Sequence, residues 1–315
     1  MKIVILGYTG LIGNSILEQL AKNTSSSLIC VGRNINYKPY ISSRIKYFEW
    51  DFIEFKKSNL LFLSKANVIV NCVGKTNNDL KNLEIINVTF VKKLLTHIQA
   101  CKFKVRLIHL SSVAVYGGAK NYFGKLKVIS ENSPTKVKDL YSRSKLKGDF
   151  LIKKKNNKNK NFSFTILRVS NVFGGTIKTN LFKFVSILLK FGIWIKSYRN
   201  NTFNFVNVKD VSQCVILIIS NLKISKNKTY IVSDDCEQHE VYKKYQNLYK
   251  KKFLKIYVPI SFVKFLIYTF PLPKKIVNFM LVISSRVSYS NKKIKKELNF
   301  KPKFSLLKKI KLLNE

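Results

Sequence analysis

Residues 1–13, MKIVILGYTGLIG, join an apolar, β-branched run to the glycines Gly7, Gly10 and Gly13. The run is typical of a buried strand, and the apolar spacing of LIGNSILEQLAKN (11–23) predicts a helix directly behind it. Glycines at such a turn let backbone N–H groups and the helix N-terminus approach a pyrophosphate. The spacing is GxxGxxG rather than GxGxxG, and strand–turn–helix units need glycine anyway. A dinucleotide site and a purely structural turn both remain open at this point.

The same alternation of short apolar runs and longer helical patterns continues along the chain. Predicted strands are KIVILG, SLICVG, ANVIVNCVG, RLIHLSS, SFTILRVSN and KTYIVSD, and predicted helices include NLEIINVTFVKKLLTHIQACK and LYSRSKLKGDFLIKKK. Alternation of this kind predicts an α/β fold, a Rossmann-type doubly wound parallel sheet. The pattern is less regular from about residue 173 and resumes at FNFVNVKDVSQCVILIISNL. We therefore expect a nucleotide-binding domain from 1–172 and about 203–235, and a smaller, mostly C-terminal substrate-binding lobe from about 173–202 and 236–315.

Composition sets further limits. The chain has 315 residues, of which 46% are hydrophobic, enough for a buried core. Its five cysteines form no CxxC pair, so we expect reduced thiols and neither a metal site nor disulfides. The first residues lack the pattern of a signal peptide, which predicts a cytoplasmic protein.

Residues 258–285 are strongly apolar but interrupted by lysines and prolines. We interpret them as two core helices of the lobe, and the alternative is an amphipathic pair on a membrane surface.

The net charge of +42 is extreme and in principle favours nucleic acid, anionic lipid or a phosphorylated substrate. The positive charge is nearly all lysine and is dispersed from end to end, whereas base readout and stacking use arginine and clustered aromatic side chains. We interpret the charge as compositional drift and expect no specific nucleic-acid partner.

Arg33 follows the second predicted strand. A site that prefers NAD usually has Asp or Glu here for the ribose hydroxyls, whereas arginine suits the 2′-phosphate of NADP. The sequence therefore allows NAD or NADP and favours NADP, although Arg33 is also compatible with a solvated loop cation.

Three residues form a candidate catalytic set. Ser112 ends a predicted strand, at the sheet edge where ligands bind in this architecture. Tyr141 and Lys145 are four residues apart and share one face if residues 140–154 are helical. A nearby ammonium favours tyrosinate, so we expect Lys145 to lower the pKa of Tyr141 toward the range of a useful base. Each residue alone has an ordinary structural explanation, but together and in this order they indicate chemistry.

With these motifs, the chain resembles the extended short-chain dehydrogenase/reductase family, in its sugar-nucleotide epimerase/dehydratase branch, which is similar to UDP-glucose 4-epimerase. The resemblance runs through GYTGLIG, WDF (50–52), NCVG (71–74), SSVAVYG, YSRSK, LRVSNVFG, FVNVKDV and SNKKIKKELNFKP. It implies Tyr141 as the acid/base, Lys145 as the residue that holds the nicotinamide ribose, and Ser112 on the reacting sugar oxygen. The cofactor residues that we infer are Gly7, Gly10, Leu11, Ile12, Gly13, Arg33, Asp51, Phe52, Asn71, Val73, Gly74, Asn87, Tyr141 and Lys145. The substrate residues are Ser112, Asn171, Asn180, Arg199 and Arg286.

Departures from the family pattern narrow the expected reaction. The 4,6-dehydratases carry Asp and Glu where this chain has Val113 and Ala114, which argues against dehydration and against sugar-acid decarboxylation. Ala114 also replaces the cysteine of epimerase-reductases that invert C3 and C5. A 4-epimerase, or a 4-ketoreductase or dehydrogenase, remains. Phe203 stands where related epimerases often have an arginine for the diphosphate, and Arg199 or Arg286 are the candidates to replace it.

Two other classes of function stay open from the sequence. One is a nucleic-acid-binding or scaffold protein on a retained Rossmann core, and the other is a membrane-surface enzyme that acts on a lipid-linked sugar. The resemblance also implies a homodimer formed through the helices at 81–103 and 139–155, with a nucleotide sugar as the substrate and a role in surface polysaccharide synthesis.

Overall fold

The protein is built around a parallel sheet in the computed structural model, which describes residues 1–55, 62–63, 66–76, 79–100, 103–117, 126–156, 161–175, 180–196, 201–284 and 286–313. The strands, in chain order, are β1 (Lys2–Leu6), β2 (Ser27–Gly32), β3 (Ile45–Glu49), β4 (Val68–Asn71), β5 (Val105–Ser112), β6 (Lys127–Ile129), β7 (Phe162–Val169), β8 (Asn171–Phe173), β9 (Ile193–Lys196), β10 (Thr202–Phe203), β11 (Phe205–Asn207), β12 (Lys228–Val232), β13 (Cys236–Glu237), β14 (Leu254–Tyr257) and β15 (Val287–Tyr289).

Helices follow most of these strands. They are α1 (Leu11–Asn23), α2 (Leu80–Glu84), a π-helical segment (Ile85–Thr89), α3 (Phe90–Ala100), α4 (Leu140–Asn156), α5 (Asn180–Lys190), α6 (Val208–Ser220), α7 (Gln238–Tyr249), α8 (Ile260–Thr269), α9 (Lys274–Ile283) and α10 (Lys292–Leu298). Short 3-10 turns lie at Val113–Tyr116 and Ile310–Leu313.

The main sheet has seven strands in the order β12-β7-β5-β4-β1-β2-β3, and every pair in it is parallel. The order reverses on either side of β1, which places a topological switch point at the carboxyl ends of β1 and β4, where ligands bind in doubly wound sheets. The predicted Rossmann-type α/β fold is confirmed.

Both faces of the sheet are apolar because helices cover both. One face packs with α1, α6 and α10 in a cluster that includes Ile16, Leu17 and Ile218. The other packs with the π-helical segment, α3 and α4, and its cluster includes Val91, Leu94 and Ile152. The six predicted strands all lie in this sheet. The sequence reasoning missed β3, because its IKYFE pattern is largely exposed at the sheet edge.

A third apolar cluster lies apart from the two sheet clusters and gathers side chains from distant segments. It includes Phe173, Phe182, Phe205, Tyr242 and Ile310. The strand pairs β8–β11, β10–β13 and β9–β14 border the elements that supply it. These contacts give the lobe its own core, and the domain boundaries given above stay a prediction.

The apolar stretch 258–285 corrects an expectation. It forms α8 and α9, but Val263 is the one buried residue of α8, and the remainder of that helix is half-buried or exposed. The interpretation as two core helices is therefore wrong for α8. Within the described part of the chain, no helix is long and apolar enough to cross a membrane.

Candidate active site

The glycine turn after β1 is shaped by its backbone. Gly7 has a φ of 81°, a conformation that residues with a Cβ rarely adopt, and its N–H donates to the Val31 carbonyl at 2.8 Å. A Cβ at Gly13 would collide with the Gly7 carbonyl oxygen. Helix α1 begins at Leu11 after Gly10, and in the described part of the chain no side chain caps its first amides. These amides are therefore open to an anionic group, which fits the pyrophosphate of a dinucleotide.

A groove of about 300 Å³ runs from this turn across the ends of β2 and β4. Its lining residues are Gly7, Thr9, Gly10, Arg33, Asp51, Phe52, Cys72, Val73, Gly74, Lys75 and Ile86. Seven of the residues predicted to bind the cofactor are thereby brought together. Asp51 forms a turn in which its Oδ1 accepts from the N–H groups of Ile53 and Glu54. The size and polarity of the groove suit the adenosine half of a dinucleotide.

The other predicted cofactor residues lie beside or beneath this groove. Leu11 lines an adjoining cavity of about 550 Å³. Ile12 packs against the core cluster of α1. Asn71 is fully buried, and its amide is occupied: Oδ1 accepts from Val73 N at 3.0 Å, and Nδ2 lies 3.2 Å from His109 Nδ1. Asn71 therefore shapes the loop after β4 from below and does not line the groove.

Ser112 and Tyr141 meet at the carboxyl end of β5. Ser112 ends this strand, and its hydroxyl accepts from Ala114 N at 3.1 Å, which starts the following turn. Tyr141 lies in the first turn of α4, is half-buried, and lies beside the Ser112 hydroxyl. The helix that the sequence predicts over 140–154 is thus present and carries the phenol to the sheet edge.

Lys145 is one helical turn further along α4 and points inward. Its side chain is 7% exposed, and Nζ donates to the Leu110 carbonyl at 2.9 Å. A Cβ at Gly74 would meet Lys145 Nζ at 3.1 Å and Asn87 Oδ1 at 3.5 Å, so these groups lie side by side at the end of the groove. Burial lowers the pKa of Lys145 from 10.5 to about 8, and the attraction of Asp149 opposes this shift.

Asn87 connects the loop after β4 to α4. Its Oδ1 accepts from Lys75 N at 2.9 Å, while Nδ2 donates to the Lys75 carbonyl at 3.0 Å and to Ser144 Oγ at 2.9 Å. Asn87 lies in the π-helical segment, and such segments occur frequently at functional sites. The sequence gives no signal for the π turn, because its apolar spacing resembles that of an ordinary helix.

The pKa of Tyr141 does not shift in the direction that the sequence argument expects. Burial raises this pKa, and the neighbouring Ser112 hydroxyl opposes the rise. The physical reason is that the phenol loses water on packing, while the Lys145 ammonium is directed to the Leu110 carbonyl. The expectation that Lys145 by itself lowers the pKa of Tyr141 is wrong.

Sequence reasoning missed a buried ion pair behind the site. Arg168 Nε lies 3.0 Å from Asp149 Oδ2, with side-chain exposures of 4% and 1%, and Arg168 Nη1 donates to Tyr116 Oη at 2.6 Å. Burial raises the pKa of Asp149, and Arg168 is the main group that opposes the rise. Two signals were available: Asp149 is one turn beyond Lys145, and Arg168 is a charge in an apolar strand that needs a partner.

The predicted substrate residues are spread over the lobe side of the sheet. Asn171 is exposed, and its Nδ2 donates to the Asn204 carbonyl at 3.0 Å. Arg286 is half-buried next to β15, and its carbonyl accepts from Lys127 N. Asn180 begins α5, its side chain lies outside the described part, and Arg199 lies outside the described residues. Phe203 is 1% exposed in the lobe cluster, so it cannot contact a phosphate.

A model of the family described as "NAD dependent epimerase/dehydratase family" matches residues 3–233. No curated protein matches the chain at a significant level.

Solved structures resemble the chain over nearly its whole length. One is UDP-glucuronic acid 4-epimerase from Bacillus cereus in complex with NAD, with a TM-score of 0.74, 17% identity, and coverage of 98% of this chain and 94% of that chain. Another is UDP-glucose 4-epimerase from Thermotoga maritima with UDP-glucose, with a TM-score of 0.73, 16% identity, and coverage of 100% and 97%. A third is RMD from Pseudomonas aeruginosa with NADPH, with a TM-score of 0.66, 14% identity, and coverage of 99% and 97%. At these identities, the resemblance shows the shared fold.

Proposed function

The chain belongs to the NAD dependent epimerase/dehydratase family, and on this premise we propose that it is a nucleotide-sugar 4-epimerase or 4-ketoreductase with Tyr141 as the acid/base. The observation that carries the proposal is the position of Tyr141 in the first turn of α4, beside Ser112 at the end of β5 and one helical turn from the buried Lys145. This arrangement offers a proton carrier and a cation at the end of a groove that suits the adenosine half of a dinucleotide.

The proposed residues have separate roles. Ser112 holds the reacting sugar oxygen, and Tyr141 takes the proton of that hydroxyl or returns it. A bound nicotinamide supplies the hydride acceptor or donor. Lys145 binds the ribose hydroxyls beside it, and its ammonium favours the tyrosinate when proton transfer begins. The raised pKa of Tyr141 keeps the phenol protonated at neutral pH, so this positive charge has to act at the moment of transfer.

The turn after β5 weighs against elimination of water. Val113 is buried, and Ala114 follows it in the turn that Ser112 caps. Neither side chain can transfer a proton at a sugar carbon. Oxidation or reduction at C4 needs only a hydride and one proton, which Tyr141 and the cofactor can provide.

A UDP-type sugar nucleotide is the proposed substrate class. Two structural neighbours are named as epimerases of UDP-sugars, and this supports a nucleotide sugar here as well. Arg286 is the proposed contact for the diphosphate, because its guanidinium can bind phosphate oxygens in pairs. Asn171, Asn180 and Arg199 are further proposed contacts.

The proposed cofactor is NADP, with NAD as the alternative. Arg33 lines the groove at the end of β2 and can pair with a 2′-phosphate. Several neighbouring structures hold NAD and another holds NADPH, which supports a nicotinamide but not the choice between the two. We further propose a cytoplasmic homodimer that works in polysaccharide precursor synthesis.

The cofactor proposal is tested by denaturing the purified protein and identifying any released nicotinamide by mass spectrometry. The protein freed of nucleotide is then titrated with NAD and with NADP. Tightly held NAD would indicate that the hydride returns within one catalytic cycle, favour the epimerase and contradict the role given to Arg33. Preference for NADPH would favour a reductase that exchanges cofactor at each turnover.

A further inference from the structure

Helix α8 exposes aromatic side chains that ordinary lobe packing does not explain. Phe262, Phe265 and Tyr268 are spaced three residues apart and therefore share one side of the helix, with exposures of 50%, 52% and 85%. Phe270, 49% exposed, packs edge-on against Phe265 with ring centroids 6.0 Å apart, and the rings of Phe262 and Phe265 are stacked. We call Phe262, Phe265, Tyr268 and Phe270 the aromatic face. A surface apolar patch of this kind marks an interaction site.

The aromatic face continues into the neighbouring strand. All four residues of β14 are exposed, among them Leu254 at 66% and Tyr257 at 65%. The strand is joined to α8 by the short link Val258–Pro259, and Val258 N donates to the Lys196 carbonyl of β9. Strand and helix are therefore consecutive elements that both expose apolar side chains.

The chain segment that forms this surface carries charge of a single sign. The sequence contains no Asp or Glu from residue 241 to 296 and none from 150 to 209, while lysines recur in both segments. Lys255 on β14 and Lys264 on α8 are exposed within the surface itself. A net charge spread evenly would place acidic residues here too, so segment 241–296, which contains β14 and α8, is more one-sided than overall composition requires.

The length of α8 and the charge of this surface indicate what kind of partner binds it. A ten-residue helix is about 15 Å long, half of a bilayer core of about 30 Å, so α8 can lie on a membrane but not cross it. A second copy of the chain would bring two acid-free, lysine-rich surfaces into contact, which charge repulsion opposes. We propose that the aromatic face and β14 dock on an anionic lipid bilayer, with the rings in the interface and the lysines on the headgroups.

The test is co-sedimentation of the full chain with phosphatidylcholine vesicles, with and without phosphatidylglycerol, at about 0.1 and about 0.5 M NaCl. Binding is expected with phosphatidylglycerol, and part of it should persist at the higher salt because the rings are inserted. Replacement of the aromatic face by Phe262→Ser, Phe265→Ser, Tyr268→Ser and Phe270→Ser should lower the partition coefficient at high salt by about tenfold or more. The matched control, Ile41→Ser, Phe103→Ser and Ile224→Ser, replaces exposed apolar residues elsewhere and should bind as the unmodified protein does.

Nucleotide titration shows whether each variant is folded. Hydrogen–deuterium exchange of the unmodified protein keeps the test independent of the variants, since vesicles should protect amides within 254–270. The proposal would be overturned if the protein did not bind the vesicles. It would also be overturned if binding vanished at high salt and was equal in the aromatic-face variant and the control variant. Protection confined to other segments, or binding to single-stranded RNA without binding to vesicles, would overturn it as well.

Discussion

Lys145 carries the strongest pH dependence at the scale of single residues. Burial lowers its pKa to about 8, so its ammonium is lost in the folded protein at a pH where an exposed lysine keeps it. If the ammonium supports Tyr141, kcat should fall as pH rises through about 8. The pH profile of kcat checks this, and the Lys145→Ala variant should lose both turnover and cofactor affinity.

The fall in kcat on deprotonation of Lys145 can be distinguished from unfolding by the sign of the change in the free energy of unfolding. Between the folded pKa of about 8 and the reference value of 10.5, the unfolded chain binds more protons, so the contribution of Lys145 to the free energy of unfolding rises with pH. Activity and this stability contribution should therefore move in opposite directions. Lys147→Ala, on the exposed side of the same helix, is the control. A flat kcat profile to pH 10 would contradict the role of Lys145.

At the residue scale, the sequence predicted that Ser112, Tyr141 and Lys145 lie close together, because a helix and a parallel strand leave few ways to arrange them; their catalytic role stays a prediction. It did not predict the direction of the Tyr141 pKa shift, since burial depends on how the lobe and the π-helical segment pack over the site. The sequence also did not predict that the side-chain amide of Asn71 is hydrogen-bonded within the protein, to Val73 N and His109 Nδ1.

At the scale of elements, α4 is held against β7 by the ion pair of Asp149 and Arg168. Both side chains are nearly fully buried, and removing one partner leaves a charge without compensation in a dry environment. Asp149→Asn should lower the free energy of unfolding by about 3–5 kcal/mol, measured by urea denaturation. Glu84→Gln breaks the exposed pair with Lys147 of the same helix and should cost about 0.5 kcal/mol or less.

A second readout distinguishes a positioning effect from simple destabilisation. The attraction of Asp149 raises the pKa of Lys145, so the alkaline limb of the kcat profile should move to lower pH in Asp149→Asn. Glu84→Gln should leave this limb in place. An unchanged limb together with reduced stability would restrict Asp149 to a structural role.

The element scale is also where sequence reasoning was most uneven. Helices α1 and α4 were predicted within a residue or two because their apolar residues recur at helical spacing. Strand β3 and the exposure of α8 were not predicted: an edge strand lacks the continuous apolar run, and an apolar helix gives no sign in its own sequence of whether anything covers it.

At the scale of the whole molecule, the parallel sheet could be predicted from the alternation of strands and helices. The lobe could not, because it is assembled from segments far apart in sequence.

The oligomeric state is a second property of the whole molecule. Leu80 at the start of α2 and Phe150 on α4 are exposed at 60% and 62%, which supports the proposed dimer through the helices at 81–103 and 139–155. Light scattering at micromolar concentration should give twice the chain mass, and Phe150→Asp should give a monomer. Ile41→Asp, an exposed residue far from these helices in sequence, should remain a dimer, and a monomeric unmodified protein would contradict the proposal.

The central claim, hydride transfer at C4 with Tyr141 as the proton carrier, is tested most directly with UDP-sugars deuterated at C4. The enzyme and its nicotinamide are incubated with each sugar, absorbance at 340 nm reports the reduced cofactor, and NMR reports the configuration and deuterium content of C4. The proposal predicts that the unmodified protein yields either the C4 epimer with its deuterium retained or a 4-keto sugar with deuterium on the cofactor. Tyr141→Phe should lower either rate by about 10²–10⁴-fold with cofactor affinity nearly unchanged. A Tyr141→Phe variant that retained most of the activity, or turnover that left the C4 deuterium untouched, would contradict the claim.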